Sequence, residues 1–235
     1  MSLPFDPRLM PLEHLSVLPQ VHEAQLHPDA LRQRFASPPT WAPDTALDRY
    51  DMTPDVVPAA VLVPLLVRAH LGRAPSVNVL LTQRTAHLRA HGGQISFPGG
   101  RAEAYDLDPV ATALREAHEE IGLPAERVEI LGRLPVFVTG TGFSVTPVVG
   151  LIDASRDDTH ALHLRPDPQE VDSVFEVPLS FLMNPAHHRK HRVQLGEHSF
   201  SYYAMPWPSA DDERAHFIWG ATAAMLRNLY HLLAA

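Results

Sequence analysis

Glu116, Glu119 and Glu120 fall within the short segment "REAHEEIGL". On a helix, their i, i+3 and i, i+4 spacing brings all three carboxylates within reach of one another. Like charges at that spacing cost a helix about 0.2–0.5 kcal/mol per pair, so something must offset them. Arg115, four residues before Glu119, can pair with it, and on that reading the set is a solvated charged face. The alternative is that the carboxylates bind a hard divalent cation such as Mg2+. Such ions take oxygen ligands, and Mg2+ usually adds substrate phosphates and waters to one or two carboxylates. The lead-in favours the cation. The turn "FPGG", Phe97 to Gly100, supplies a backbone that bends sharply, and Gly99 and Gly100 let a ligand approach closely because they lack a Cβ.

The elements that must position these groups are legible in outline. Asp108 is a suitable N-cap, Pro109 a suitable first helical residue and Gly122 a suitable left-handed terminator, so the carboxylates sit on a helix over about 109–121. Val110, Ala113, Leu114, Ala117 and Ile121 give that helix an apolar face for a sheet. The runs "AAVLVPLLVRA", "SVNVLLTQRT", "RVEILGRLPVFVT" and "FSVTPVVGLID" are rich in Val, Ile and Leu and bounded by Gly, Pro or Ser, as strands are. "EVDSVFEVPLSFL" reads as a strand entering a turn or short helix, and "HRVQLGEHSFSYYAMPW" as a hairpin turning at Leu195-Gly196-Glu197. A second helix over about 211–233 closes the chain. Strands interrupted by two helices imply an α/β fold with α/β/α layering around a mixed β-sheet. Residues 1–55, rich in proline and polar residues with a short helix over 28–37, form an N-terminal extension. It packs on the main domain, 56–235, or on a second copy of the chain, which leaves room for a homodimer.

The bulk properties exclude several classes. A formal charge of -8 argues against a general nucleic-acid binder, which needs a basic face for phosphates. The charge is uneven, however. No acid lies between Asp55 and Glu103, whereas Arg68, Arg73, Arg84, Arg89 and Arg101 do, and this block suits a phosphorylated ligand. The absence of cysteine removes disulfides, cysteine zinc sites and a thiol nucleophile, with the cytoplasm as the default location. "MSLPFDPRLM" is not a secretory signal, and "VVPAAVLVPLLV" is too short to cross a bilayer, so no membrane partner is expected. "HHRKH" reads as a solvated basic loop, and Trp207 and Trp219 as packing residues.

Gly100, Arg115, Glu116, Glu119, Glu120, Gly122 and Leu123 together resemble the Nudix box, the strand-loop-helix signature of hydrolases that cleave nucleoside diphosphates linked to another moiety. The box expects a Glu six residues after its leading Gly and eight before its Arg. Here Asp106 is six after Gly100 but nine before Arg115, so Glu103 and Asp106 are both candidates for that position. "LLTQRTAHLRAHGGQISFPGG", 80–100, is similar to the element of the coenzyme A pyrophosphatase branch, with Thr85 in place of a Ser. "IWGATA", 218–223, resembles the start of that branch's closing helix.

The resemblance implies a Nudix-type fold and a Mg2+- or Mn2+-dependent cleavage of coenzyme A to 3',5'-ADP and 4'-phosphopantetheine. By the same resemblance, Glu116 and Glu120 are principal metal ligands, Glu119 completes the site and Arg115 orients the carboxylates. The base is Glu119 or Glu170, the latter on the loop before a strand. Arg84 and Arg89 contact phosphate, which a planar guanidinium can grip with two hydrogen bonds. The alternatives are a Nudix pyrophosphatase for ADP-ribose or dinucleotides, and a catalytically silent nucleotide-binding module. Against the silent module, the helix retains all its box carboxylates.

Overall fold

In chain order the elements are β1 (Leu12–Glu13), α1 (Pro28–Ala36), β2 (Val57–His70), β3 (Arg73–Arg84), β4 (Ile95–Ser96), β5 (Gly99–Arg101), α2 (Pro109–Ile121), β6 (Glu129–Arg133), β7 (Phe137–Val138), β8 (Phe143–Asp153), β9 (Val171–Pro178), α3 (Leu179–Leu182), β10 (Arg189–Leu195), β11 (His198–Trp207), β12 (His216–Trp219) and α4 (Gly220–Ala234). They come from a computed structural model that describes residues 5–44, 56–70, 73–87, 92–154, 162–208 and 216–235.

The central sheet is mixed. Strand β2 runs parallel to β8 from Val57↔Phe143 to Val67↔Asp153, and antiparallel to both β3 and β5. Strand β9 borders β3 from Asn78 to Arg84, while β6 and β7 both pair with β8. Alternate residues of β2 enter two different cores: Ala60, Leu62 and Leu66 pack under α2, whereas Val63, Leu65 and Val67 face the other way. A strand covered on both faces needs apolar residues at nearly every position, which is why its run shows no alternation.

Helix α2 therefore makes one outer layer. The opposite layer holds α1, α3, α4 and a second, antiparallel sheet in the order β1-β10-β11-β12, all around the core that includes Leu65, Leu81, Met205 and Leu229. The β10–β11 hairpin turns through Gly196 and Glu197, with Gly196 at φ +62° as a two-residue turn requires. Val21, Leu26 and Leu31 of the N-terminal segment are buried in that same core, and β1 adds to the small sheet. Arg32 holds Glu129, and the Tyr230 hydroxyl donates to the Pro19 carbonyl. No helix among the described residues is long and apolar enough to cross a membrane.

The closing helix is shorter than its sequence suggests. Its expected first residues, 211–215, lie outside the described residues, and His216–Trp219 form β12, paired with Ala204–Trp207. Gly220, at φ +63°, turns the chain from that strand into α4.

Candidate active site

Helix α2 is fixed by local chemistry. The Asp108 carboxylate accepts from the amides of Val110 and Ala111, Pro109 opens the first turn, and Gly122 ends the helix at φ +68°. Ala113, Ala117 and Ile121 are fully buried against Ala60, Leu62, Leu66 and Leu80. Burying an Ile side chain such as that of Ile121 stabilises by about 1.5–3 kcal/mol relative to leaving it exposed. The acidic side of the helix is thereby held toward β5 and the end of β3.

Arg115 organises that side. Its Nε and Nη2 donate to the two oxygens of Asp106 at 3.1 and 3.0 Å, its Nη1 to Glu116 at 2.8 Å and Glu119 at 2.9 Å, and its Nη2 also to the Arg101 carbonyl. One planar guanidinium thus spans the loop and the helix. Asp106 further accepts from the Thr112 hydroxyl and the Glu103 amide. The Arg115 hydrogen bonds hold the Asp106 carboxyl down at about 2, and the Arg115 guanidinium is pushed up in turn. Of the two acids the sequence offers before the helix, Asp106 is the one that meets Arg115, and Glu103 contributes its backbone amide. The extra loop residue is absorbed in this turn.

The two glycines of the lead-in lie against the other carboxylates. Glu116 fills the space where a Cβ on Gly100 would stand. The Gly99 amide donates to Glu120 Oε2 at 3.2 Å, and a Cβ on Gly99 would strike the backbone of Ala60 and Val61. Glu120 is only 3 % exposed, and burial pushes its carboxyl up to about 7; burial raises Glu116 as well. Arg84, on the α2 face of β3, donates from Nη1 to Glu120 at 3.1 Å and places Nη2 3.7 Å from Glu170.

Glu170 is brought in by a bulge. Opposite Gln83 and Arg84, strand β9 presents Ser173 and Val171, with Asp172 as the extra residue. Bulges of this kind re-aim neighbouring side chains and are common beside active sites. Thr85 secures the segment, since its amide donates to the Glu170 carbonyl and its hydroxyl to the Gln169 carbonyl. The hydroxyl at position 85 is the trace of this role that the sequence carried.

The structure thus gathers Gly99, Gly100, Arg84, Arg115, Glu116, Glu119, Glu120 and Glu170 around the end of one helix. Asp106, one of the two candidates for the acidic position before the helix, joins them, as do Thr85 and Thr112, to which the sequence assigns no site role. Arg89 lies outside the described residues. Chemically the group suits a hard cation: every candidate ligand is a carboxylate oxygen, and the buried Glu120 needs positive charge to ionise. Among the described residues, however, no three acidic or His side chains stand ready as a cage. The glutamates are spoken for by arginines. A cavity of about 380 Å3, lined by Gln83, Gln94, Phe217 and Trp219 among others, opens on the opposite face of β3, and none of the four glutamates lines it.

The NUDIX domain family profile matches residues 57–203. A protein of Enterobacter sp. (strain 638) named "Uncharacterized Nudix hydrolase NudL" is 40 % identical over 171 residues, covering 73 % of this chain and 80 % of that protein. The protein of the same name from Citrobacter koseri is 42 % identical over the same coverage. Among solved structures, a Caenorhabditis elegans Ap4A hydrolase in a binary complex is 22 % identical, with a TM-score of 0.39, covering 52 % of this chain and 80 % of that one.

Proposed function

The chain belongs to the Nudix family, and from that premise we propose that it hydrolyses the diphosphate of coenzyme A or its derivatives, yielding 3',5'-ADP and 4'-phosphopantetheine, with Mg2+ or Mn2+ as cofactor. The observation that carries the substrate is the run of residues 80–100. It resembles the coenzyme A pyrophosphatase element, and its last two glycines lie against Glu120 and Glu116.

A diphosphate is hard to attack because its negative oxygens repel an incoming oxygen nucleophile. A divalent ion bound here supplies charge neutralisation and lowers the pKa of a water. Glu116 and Glu120 are the residues to hold it, with Glu119 completing the set. Arg115 keeps Glu116 and Glu119 side by side against their repulsion, anchored to Asp106. Glu119 and Glu170, the more exposed acids of the group, are the two candidates to take the proton of the attacking water. Arg84 and Arg89 serve the phosphate oxygens. Direct in-line displacement by water needs no covalent enzyme intermediate, and the chain offers no cysteine for one.

The test is to measure kcat/KM with Mg2+ on coenzyme A, ADP-ribose and a dinucleotide in parallel. Coenzyme A is expected to give the highest value, with both products identified by mass. A higher value for ADP-ribose or the dinucleotide overturns the substrate reading.

A further inference from the structure

The carboxylate cluster contains more acids than it can leave unneutralised, and its two arginines are held very differently. Arg115 is fully committed: its guanidinium donates to Asp106, Glu116, Glu119 and the Arg101 carbonyl, all between 2.8 and 3.1 Å. Among the described residues, the Arg84 guanidinium makes one hydrogen bond, at 3.1 Å to Glu120, and a looser approach of 3.7 Å to Glu170. Among the described residues it is the cation paired with the buried Glu120. A buried carboxylate without a counter-charge is strongly disfavoured, and Arg84 supplies that counter-charge here.

We propose that Arg84 is the internal counter-ion of the ion-free site: it stands between Glu120 and Glu170, is displaced when a divalent cation binds, and then turns its guanidinium to the phosphate oxygens of the substrate. The proposal rests on the metal-dependent reading above and adds an order of events to it. The geometry allows the movement. Arg84 is the last residue of β3, and its backbone is pinned by hydrogen bonds with Gln94 and Gly93, so only the side chain need swing. A rotamer change of that kind is fast in a partly exposed side chain. The glutamates of the helix rest in contact with the two guanidinium groups, Glu120 with Arg84 and Glu116 and Glu119 with Arg115.

The consequence is coupling. Cation and substrate both favour the released Arg84, so each tightens the binding of the other, and the coupling is reciprocal. Removing the guanidinium therefore has opposite effects on the two ligands, a signature that a merely structural arginine would not give.

The experiment is a calorimetric titration of the full chain with Mn2+ alone, comparing wild type with Arg84→Gln, Arg84→Lys and Glu120→Gln, with folding followed by circular dichroism. Arg84→Gln is expected to bind Mn2+ about tenfold more tightly, within the usual range of coupling between sites, while kcat/KM falls. Arg84→Lys, which keeps a cation at that position, should bind Mn2+ closer to wild type. Repeating the titration with 3',5'-ADP present should tighten Mn2+ binding in wild type and leave it unchanged in Arg84→Gln. A folded Arg84→Gln that binds Mn2+ no more tightly than wild type overturns the counter-ion role while leaving the metal reading intact. Absence of Mn2+ binding by wild type, or undiminished binding by Glu120→Gln, overturns the metal reading and this inference with it. If folding is lost in Arg84→Gln, Arg84→Met carries the same comparison, judged by whether Mn2+ raises its melting temperature more than it raises that of wild type.

Discussion

The carboxylate of Glu116 lies directly over the Cα of Gly100, so that a methyl group built there would come within 2.5 Å of the carboxylate carbon and both its oxygens. Because the obstructed atoms end a flexible side chain, Gly100→Ala should leave stability nearly unchanged and displace Glu116 from the site. The expected result is weaker Mn2+ binding and a large loss of kcat at an almost unaltered melting temperature. Gly99→Ala should behave differently, since its methyl would meet Ala60 O at 2.5 Å and Val61 Cα at 2.6 Å, main-chain atoms of the central strand. Overpacking of that kind costs about 1–3 kcal/mol. Urea denaturation of both variants distinguishes the two effects, and equal stability losses would contradict the assignment.

A second expectation follows from Asp106 and Arg115. The folded carboxyl titrates at about 2, below its ordinary value of 3.8, so the bridge contributes stability above about pH 4 and loses it as the pH falls through about 2. Asp106→Asn should therefore be less stable than wild type at neutral pH, and the difference should shrink across that acid window. Urea midpoints at several pH values measure it. Activity should fall as well, because Arg115 would lose the anchor that keeps Glu116 and Glu119 together.

The end of α2 was legible in the sequence because its signals are local: a capping Asp, a Pro, an apolar period and a terminating Gly act within a few residues of one another. The choice between Glu103 and Asp106 depended on how the loop turns and which acid Arg115 reaches across it, which spacing does not state. The pairing of Arg84 with Glu120 joins residues far apart in sequence, and only the packing of β3 beside α2 brings them together. β12 was read as helix because four residues, His216–Trp219, are too few to set a period, and pairing with β11 decides their conformation. β1, with two residues, carried no signal at all.

A third expectation concerns His188, which sits among α3, β10 and α4. Its Nδ1 faces the Arg227 guanidinium at 2.7 Å and must accept, so the ring proton lies on Nε2 and is donated to the Leu182 carbonyl. Burial pushes its pKa down to about 4 from an ordinary 6.5. The unfolded chain thus binds the proton more readily, and stability present above pH 6.5 is lost as the pH falls toward 4, by roughly 3 kcal/mol. His188→Gln, which has no proton to take up, should show a flatter dependence in that interval. An unchanged slope in the variant would contradict the buried, neutral ring.

The helix cap offers a simpler check. Asp108→Ala removes the two hydrogen bonds to Val110 and Ala111 and the ion pair with Arg133, and should cost about 1 kcal/mol with little effect on KM. A loss of substrate affinity larger than the loss of stability would mean that the cap region touches the substrate.

The central claim is that water, activated at the carboxylate cluster, attacks a phosphorus of the coenzyme A diphosphate. A single turnover of coenzyme A with Mg2+ in 18O-labelled water, with the products resolved by mass, tests it most directly. The account predicts one 18O atom in the phosphate of either 3',5'-ADP or 4'-phosphopantetheine, and no turnover by Glu120→Gln. Cleavage that leaves both phosphates unlabelled, or a phosphoryl-enzyme trapped during turnover, would contradict it.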